Sequence, residues 1–540
     1  MKTDMLTIVM AQLNLTVGDI HGNSQKIIEA AHAAKETHQA DLVVYPELTI
    51  CGYPPEDWVL RNDFIAENEA ALENILQQLP DIGLIIGHPH KTSHSLYNAL
   101  SYLNNKEKRA IYFKQELPNY GVFDEKRYFH PGNQACIIEL KGHRIALTIC
   151  EDLWLNKVSQ QAKAAGADLL ISSNASPYDG KKISTRHKTI LQRSRETQLP
   201  IIYVASVGGQ DDLIYDGGSF AVDALGKIQV QAPFFKETIL PVHINNTHQP
   251  VAGYMAPLPR LDEAHYQALQ LGLHDYVTKN GFQKVLLGLS GGIDSALVLC
   301  LAVDALSAER VHAVMLPSRY TSEISTLDAQ ALCENLKVSH STISIEPLYE
   351  TFIQSLSDEF RGLPVDITEE NIQARCRGSL LMAIANKKRA LLLSTGNKSE
   401  LAVGYCTLYG DMAGAYAPIA DLYKTEVYHL CAYRNRQSSV IPQRIIDRPP
   451  SAELAPDQKD QDTLPEYPIL DAILKAYIER NESVEEIVCA GYDKATVMRV
   501  IGMVRRNEYK RKQAAPGAKI SERAFTREWR YPCTYLGTKT

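Results

Sequence analysis

Short apolar runs alternate with polar and helix-periodic stretches through the first 240 residues. Runs at Leu6–Gln12, Leu42–Tyr45, Gly83–Gly87, Ala110–Phe113, Ile145–Ile149, Leu169–Ser172 and Ile201–Ala205 have the length of strands. Between some of them, Asn23–Gln39 and Ile65–Gln78 predict helices, and Asp212–Asp223 predicts further β structure. Such interleaving predicts a mixed α/β fold built on a large sheet.

The pattern breaks at Asn245–Asp262 (NNTHQPVAGYMAPLPRLD), which carries prolines, lacks periodicity and reads as a linker. A new alternation follows: helix Glu263–Lys279, strand Lys284–Leu289, a glycine turn, helix Ser295–Leu306 and strand Val311–Leu316. This order predicts parallel strands with helices on both faces. Asn435–Pro465, rich in Pro, Asp and Gln, reads as a long loop, and the tail from Arg505 (RRNEYKRKQ) is basic. The expected division is therefore 1–245, a linker over 246–262, and 263–540.

A chain of 540 residues, 45 % hydrophobic, has enough apolar material for two to four domains. Its net formal charge of −7 gives no general attraction to nucleic acid or an anionic membrane. No apolar run approaches the ~18 residues of a spanning helix, and the N-terminus turns polar too soon for a secretory signal. Ten cysteines, irregularly spaced and without a CxxC pair, argue against a disulfide framework and a zinc ribbon. The expectation is a soluble, cytoplasmic protein with one cysteine, Cys150, free for chemistry and the other nine used in packing.

Three polar residues follow apolar runs: Glu47 after DLVVYP, Lys114 after AIYF, and Cys150 after RIALTI. Ligand chemistry in parallel α/β sheets gathers at the carboxyl ends of strands, so the three can converge. A thiolate is a nucleophile for acyl transfer, and a carboxylate can take the thiol proton. An ammonium favours the thiolate and stabilises a tetrahedral oxyanion. Glu151 and Asp152 alone would oppose thiolate formation, so Cys150 needs Lys114 close by.

The words around these residues are specific. YPELTICGYPPEDW (45–58), KQELPNYGVFDEKRYF (114–129) and CEDLW (150–154) resemble the amidase domain of the nitrilase superfamily. More narrowly they resemble the glutaminase half of glutamine-dependent NAD synthetases, and NASPYDGKK (174–182) and VGGQDDLIYDGGS (207–219) extend the likeness. The resemblance implies an αββα sandwich over 1–245, with Glu47 as general base, Lys114 as oxyanion stabiliser and Cys150 as nucleophile. It implies glutamine contacts at Tyr120, Ser176 and Lys182, with the adjacent Lys181 as the alternative lysine. Glu125 stands as a second supporting carboxylate or as a salt-bridge partner of Lys126 or Arg127.

In the second half, LGLSGGIDSALVL (287–299) lies between a strand and a helix. Gly291 and Gly292 let successive N–H groups face an anion, Ser290 and Ser295 add hydroxyls, and the helix N-terminus adds partial positive charge. The segment lacks the GK(S/T) ending of a Walker loop, and SGGxDS resembles the loop of ATP pyrophosphatases. MLPSRYTS (315–322), ITEENIQAR (367–375), LLSTGNKSELAVGYCTLYGD (392–411), APIADLYKTEV (417–427), RPPSAEL (448–454) and NEYKRKQ (507–513) resemble NAD synthetases. The resemblance implies a Rossmann-like, doubly wound parallel-sheet domain. Its ATP contacts would be Gly288, Leu289, Ser290, Gly291, Gly292, Ile293, Asp294 and Ser295, with Thr395, Lys424 and Ser451. Deamido-NAD contacts would be Asn371, Glu400, Lys510, Arg375 and Asp411, and Asp294 and Glu400 would ligate Mg²⁺.

The resemblance implies ATP-dependent amidation of deamido-NAD with ammonia drawn from glutamine. The reaction would pass through an acyl-adenylate and release AMP, pyrophosphate and glutamate. It also implies a sheltered ammonia passage and a homo-oligomer built on a dimer of the second domain. Two other readings stand at this point: a different glutamine-dependent amidotransferase with the same ATP loop, and a sensor that binds dinucleotide and ATP without turnover.

Overall fold

The computed structural model describes residues 5–456 and 458–535. The chain forms two compact units that divide after Pro259.

In the first unit, β1 (Leu6–Gln12), α1 (Ile20–His38), β2 (Leu42–Val44), α2 (Asn62–Gln78), β3 (Gly83–Lys91), β4 (Leu96–Asn104) and β5 (Glu107–Phe113) come first. Then follow β6 (Ile137–Leu140), β7 (His143–Ile149), α3 (Lys157–Ala164), β8 (Leu169–Asn174), α4 (Lys182–Thr197) and β9 (Ile201–Ala205). The unit ends with β10 (Val207–Gln210), β11 (Leu213–Asp216), β12 (Phe220–Val222), β13 (Ile228–Gln231) and β14 (Thr238–Ile244). Two six-stranded sheets form, ordered β14-β1-β2-β3-β4-β5 and β13-β12-β9-β8-β7-β6.

The sheets face one another. Ile8, Met10, Leu42, Val44 and Ile85 of one pack with Ile145, Leu147, Leu169, Ile171 and Ile202 of the other. The alternate residues Val9, Ala11, Val43 and Leu84 meet Ile27, Ala31, Leu72 and Ile75 of α1 and α2. Leu170, Ile201 and Tyr203 meet Ala162 and Ile190 of α3 and α4. The architecture is thus an αββα sandwich, and burial on both faces explains why its inner strands read as continuous apolar runs. The expected linker is partly structured: Gly253 N donates to Gln229 O (2.9 Å), and Gln231 and Ala256 N–H groups bond across to Tyr254 and Gln231 (2.8 and 3.0 Å).

The second unit opens with α5 (Leu261–Lys279), β15 (Val285–Gly288), α6 (Ile293–Leu306), β16 (Val311–Met315), α7 (Glu323–Leu336) and β17 (Ser339–Thr342). It continues through α8 (Glu346–Ser355), α9 (Ile367–Lys388), β18 (Leu391–Leu393), α10 (Lys398–Val403), α11 (Lys424–Gln437) and α12 (Gln443–Asp447). Last come α13 (Tyr467–Ile478), α14 (Val484–Cys489), α15 (Lys494–Arg506) and α16 (Glu508–Arg511). The sheet is parallel throughout, in the order β17-β16-β15-β18, which puts the β15–α6 turn at the carboxyl edge of a central strand.

Some expectations are corrected here. Asn435–Pro465 is not one loop, because it holds the end of α11, all of α12 and a 3₁₀ turn at Asp460–Asp462; Asp457 lies outside the described residues. Within the basic tail Arg511 is buried, paired with Glu508 (2.7 Å). Nor are all nine remaining cysteines packing residues, since Cys489 and Cys533 are exposed.

Candidate active sites

In the first unit the chain leaves β2 at Val44 and turns to Glu47. The turn is tight: Leu48 has φ +46°, and a Cβ on Gly87 of the neighbouring β3 would lie 2.4 Å from the Leu48 nitrogen. Glu47 Oε1 accepts from Asn98 Nδ2 (2.8 Å) and Lys114 Nζ (2.6 Å), and Oε2 accepts from Ala175 N (3.1 Å). Lys114 Nζ also donates to Glu125 Oε1 (2.8 Å), which accepts from Tyr53 OH (2.7 Å). These side chains are all buried. Glu125 is therefore the second carboxylate on Lys114, and Arg127 pairs with Asp57 instead (3.3 Å).

Cys150 follows β7 with φ +43° and starts a 3₁₀ turn through Leu153. A left-handed φ on a residue with a Cβ costs about 1–2 kcal/mol, so the surrounding contacts must impose it. Burial pushes the Cys150 thiol well above its usual range; Glu47 adds to the rise, Lys114 draws it down and Glu151 raises it further. Burial opposes the charge on Lys114, but Glu125, Glu47 and Cys150 together outweigh it and raise its pKa. A thiol that stays protonated at rest, beside a buried carboxylate and a fixed ammonium, suits attack assisted by a general base.

Tyr120 is exposed and donates to both oxygens of Glu151 (3.1 and 3.0 Å). Ser176 is buried next to Ala175, whose N–H holds Glu47. Lys182 opens α4, and its ammonium lies 4.3 Å from the centroid of the Trp154 ring. Burial lowers the Lys182 pKa, while Asp179, Cys150 and Glu151 favour its charge.

In the second unit, Gly291 has φ +82°, and a Cβ there would lie 2.2 Å from the Ser325 carbonyl oxygen. Only glycine lets the loop pass this close to the start of α7. Ser295 Oγ accepts from Ser290 N (3.3 Å) and donates to Gly292 O (3.0 Å), and Ser290 Oγ accepts from Gly292 N (3.2 Å). The loop closes one side of a cavity of about 300 Å³. Gly288 to Ser295, Thr395, Glu400, Asp411, Lys424 and Ser451 all line it.

Asp294 and Glu400 are brought together by one ammonium: Lys424 Nζ contacts the Asp294 carboxylate and donates to Glu400 Oε1 (3.2 Å). Asn397, the N-cap of α10, accepts from Glu400 N (3.0 Å) and donates to Asp294 Oδ1 (2.9 Å). Burial pushes the Glu400 carboxyl up to about 8, with Lys424 opposing and Asp294 adding to the rise. Two carboxylates already sharing a cation fit a hard divalent ion. Among the described residues no group of three or more His, Cys, Asp or Glu side chains is arranged to hold a metal.

Asn371, Arg375 and Lys510 lie outside the cavity lining but, with Asp411 of the lining, bond to one loop. Thr407 Oγ1 donates to Asn371 Oδ1 (2.8 Å), and Arg375 Nε donates to Leu408 O (3.3 Å). Lys510 Nζ donates to Gly404 O and Cys406 O (2.8 and 2.7 Å), and Asp411 Oδ1 accepts from Thr407 N (2.6 Å). Tyr405, Thr407 and Gly410 carry that loop into the cavity wall.

The carbon-nitrogen hydrolase family matches residues 7–252 and the NAD synthase family residues 265–514. The glutamine-dependent NAD(+) synthetase of Acinetobacter baylyi is 46 % identical over 530 residues, 97 % of each chain. The chain belongs to the glutamine-dependent NAD(+) synthetase family. A solved synthetase of this name from Acinetobacter baumannii, in complex with ADP, is 43 % identical, with a TM-score of 0.81 over 98 % of both chains. One from Cytophaga hutchinsonii, 22 % identical, agrees in fold alone (TM-score 0.87).

Several residues around this family member's two sites escape sequence reasoning. Asn98 holds Glu47 from β4 with no signal in its local sequence, and Tyr53 holds Glu125 from within YPELTICGYPPEDW, a segment that was itself the available signal. Asp460 lines the cavity from a stretch that reads as loop. Glu453 accepts from Ser322 Oγ (2.9 Å) and Ser325 Oγ (2.7 Å), tying the RPPSAEL segment to α7; its place in that motif was the available signal. Among the described residues no helix is long and apolar enough to cross a membrane.

Proposed function

We propose that the chain makes NAD from deamido-NAD, ATP and glutamine, with a separate site in each unit. The observation that carries this reading is the pairing of two arrangements in one chain. One is Lys114 fixed between two buried carboxylates beside Cys150; the other is a glycine cradle opening on a cavity where Asp294 and Glu400 converge.

In the first unit Cys150 Sγ attacks the glutamine amide carbon as Glu47 takes the thiol proton. Lys114 stabilises the tetrahedral oxyanion. Glu47 passes the proton to the departing nitrogen, ammonia leaves, and a glutamyl thioester remains. Water, deprotonated by Glu47, then attacks the thioester carbonyl and releases glutamate with the restored thiol. Tyr120, Ser176 and Lys182 hold glutamine, Lys182 as a cation for its carboxylate.

In the second unit the nicotinate carboxylate of deamido-NAD attacks the ATP α-phosphorus and pyrophosphate leaves. Ammonia attacks the acyl-adenylate carbon, forming the amide of NAD and releasing AMP. The Gly288–Ser295 loop, with Thr395 and Ser451, holds the phosphates, and Lys424 moves from the carboxylates to the phosphate chain. Asp294 and Glu400 would hold magnesium, whose charge offsets that developing on pyrophosphate. Asn371, Arg375, Asp411 and Lys510 set the 404–411 loop and, with Glu400, receive the dinucleotide. Assembly through the second unit is part of the reading, supported by exposed Leu363, Val365 and Ile367 in and before α9.

Cys150→Ala tests the division of labour. Glutamine-driven NAD formation should vanish and ammonia-driven formation should persist, with AMP as the nucleotide product. Loss of both activities, retention of both, or formation of ADP overturns the reading.

A further inference from the structure

Lys114 and Cys150 reach the amidase site from different sheets. Lys114 follows β5, at the edge of the first sheet, and Cys150 follows β7, in the second. The sheets pack through apolar side chains, and such packing sets their spacing better than their sliding register. Acyl transfer needs the thiol and the ammonium held within a fraction of an ångström.

The Asp152 side chain, fully buried, bridges the two segments. Its Oδ1 accepts from Gln115 N (3.1 Å) and Glu116 N (2.9 Å), the two residues after Lys114. Its Oδ2 accepts from Tyr112 OH (2.7 Å), near the end of β5, and from Ile149 N (2.8 Å), the residue before Cys150. One carboxylate thus collects three donors from the lysine segment and one from the cysteine segment, while being covalently two residues from the thiol. The bond to Ile149 also closes the turn in which Cys150 takes its left-handed φ. Gln115 Nε2 adds a weaker tie, donating to Gln161 Oε1 (2.7 Å) on α3. An ionised carboxylate matches four donors; an amide in its place would turn its NH₂ toward N–H groups.

We propose that Asp152 is the positioning residue of the amidase site, locking the Lys114 segment and the Cys150 turn into one register. It touches neither substrate nor the reacting atoms. This rests on the reading of Cys150 as nucleophile and Lys114 as oxyanion stabiliser. Asp152 lies outside the set of residues that the motif resemblance implies.

The test uses the full chain with Asp152→Asn and Tyr112→Phe. Three quantities are read: kcat and KM for glutamine hydrolysis, ammonia-driven NAD formation, and the pH dependence of Cys150 alkylation by iodoacetamide. Asp152→Asn should lower kcat roughly 10- to 100-fold, the scale of an ångström-sized misplacement, with KM within about threefold. Ammonia-driven synthesis should stay within about twofold, and alkylation should shift to higher pH as Lys114 loosens from the thiol. Tyr112→Phe removes one donor and leaves every backbone N–H paired, so it should move both readouts the same way by less. An unchanged kcat and alkylation profile in Asp152→Asn overturns the proposal. If Asp152→Asn does not fold, Tyr112→Phe decides: a shifted profile supports the proposal and an unchanged one overturns it. Glutamine hydrolysis that survives Cys150→Ala would instead overturn the reading of the site itself.

Discussion

Gly291→Ala is the sharpest probe of the loop proposed to hold ATP. The backbone there has φ +82°, which costs an alanine about 1–2 kcal/mol. The added Cβ would sit 2.2 Å from the Ser325 carbonyl oxygen, in the first turn of α7, and needs about 1 Å more to reach tight contact. Forcing the atom in against backbone adds about 1–3 kcal/mol, so the second unit should lose roughly 2–5 kcal/mol of stability. If the loop moves instead, its N–H groups shift by about 1 Å, and the ATP-dependent step should fall roughly 100-fold. Gly292→Ala is the internal control: φ is −87° and the nearest atom is the mobile Ser290 Oγ at 3.3 Å, so the stability cost should stay under about 1 kcal/mol. The assays are urea unfolding, ammonia-driven NAD formation across ATP concentrations, and glutamine hydrolysis, which should be spared. Equal stability and equal KM for ATP in the two variants would refute the steric argument.

Two further predictions follow from buried charge. His88 is buried and neutral, its ring bonded to Ser101 Oγ (2.7 Å) and Pro89 O (3.1 Å), and burial lowers its pKa to about 4. The unfolded chain then binds more protons between pH 6.5 and 4, so the His88 contribution is full above pH 6.5 and lost on acidification toward 4, a change of roughly 2–3 kcal/mol. Urea unfolding at pH 7 and 4.5 should show this, and His88→Asn should flatten the difference; an identical slope would count against it. Lys398 is fully buried between Asp421 (2.9 Å) and Glu479 (3.0 Å), and also donates to Ser521 Oγ (2.6 Å) and Arg523 O (2.9 Å). Lys398→Met should destabilise the second unit by roughly 3–5 kcal/mol by stranding two carboxylates, and a loss under about 1 kcal/mol in denaturant titration would contradict that.

Strands buried on both faces were the most legible part of the fold. Leu6–Gln12 and Ile201–Ala205 coincide with β1 and β9, because a run that must be apolar at every position stands out from its flanks. Strands β4 and β6 merged with their surroundings because Asn98 and Ser101 interrupt the apolar run of β4 and Glu139 that of β6. Residues 435–465 read as loop because Pro, Asp and Gln mask α12. At the sites, residues inside specific words were legible as types. Their contacts were not, even for Tyr53 and Asp152 inside those words, because no local spacing encodes which distant groups they meet; Asn98 lies in no such word.

The sequence by itself determined the chemistry on offer: a thiol, a lysine and carboxylates at strand ends, and two adjacent glycines before a helix. Backbone conformation and local hydrogen bonding set these features within a few residues. Only the tertiary structure decided which groups share a proton or a charge. Lys114 sits between Glu47 and Glu125, and Lys424 between Asp294 and Glu400, because sheet packing and helix docking bring distant segments within 3.2 Å. It likewise decided the state of Cys150, since burial and neighbouring charges act through space and leave no trace in the order of residues.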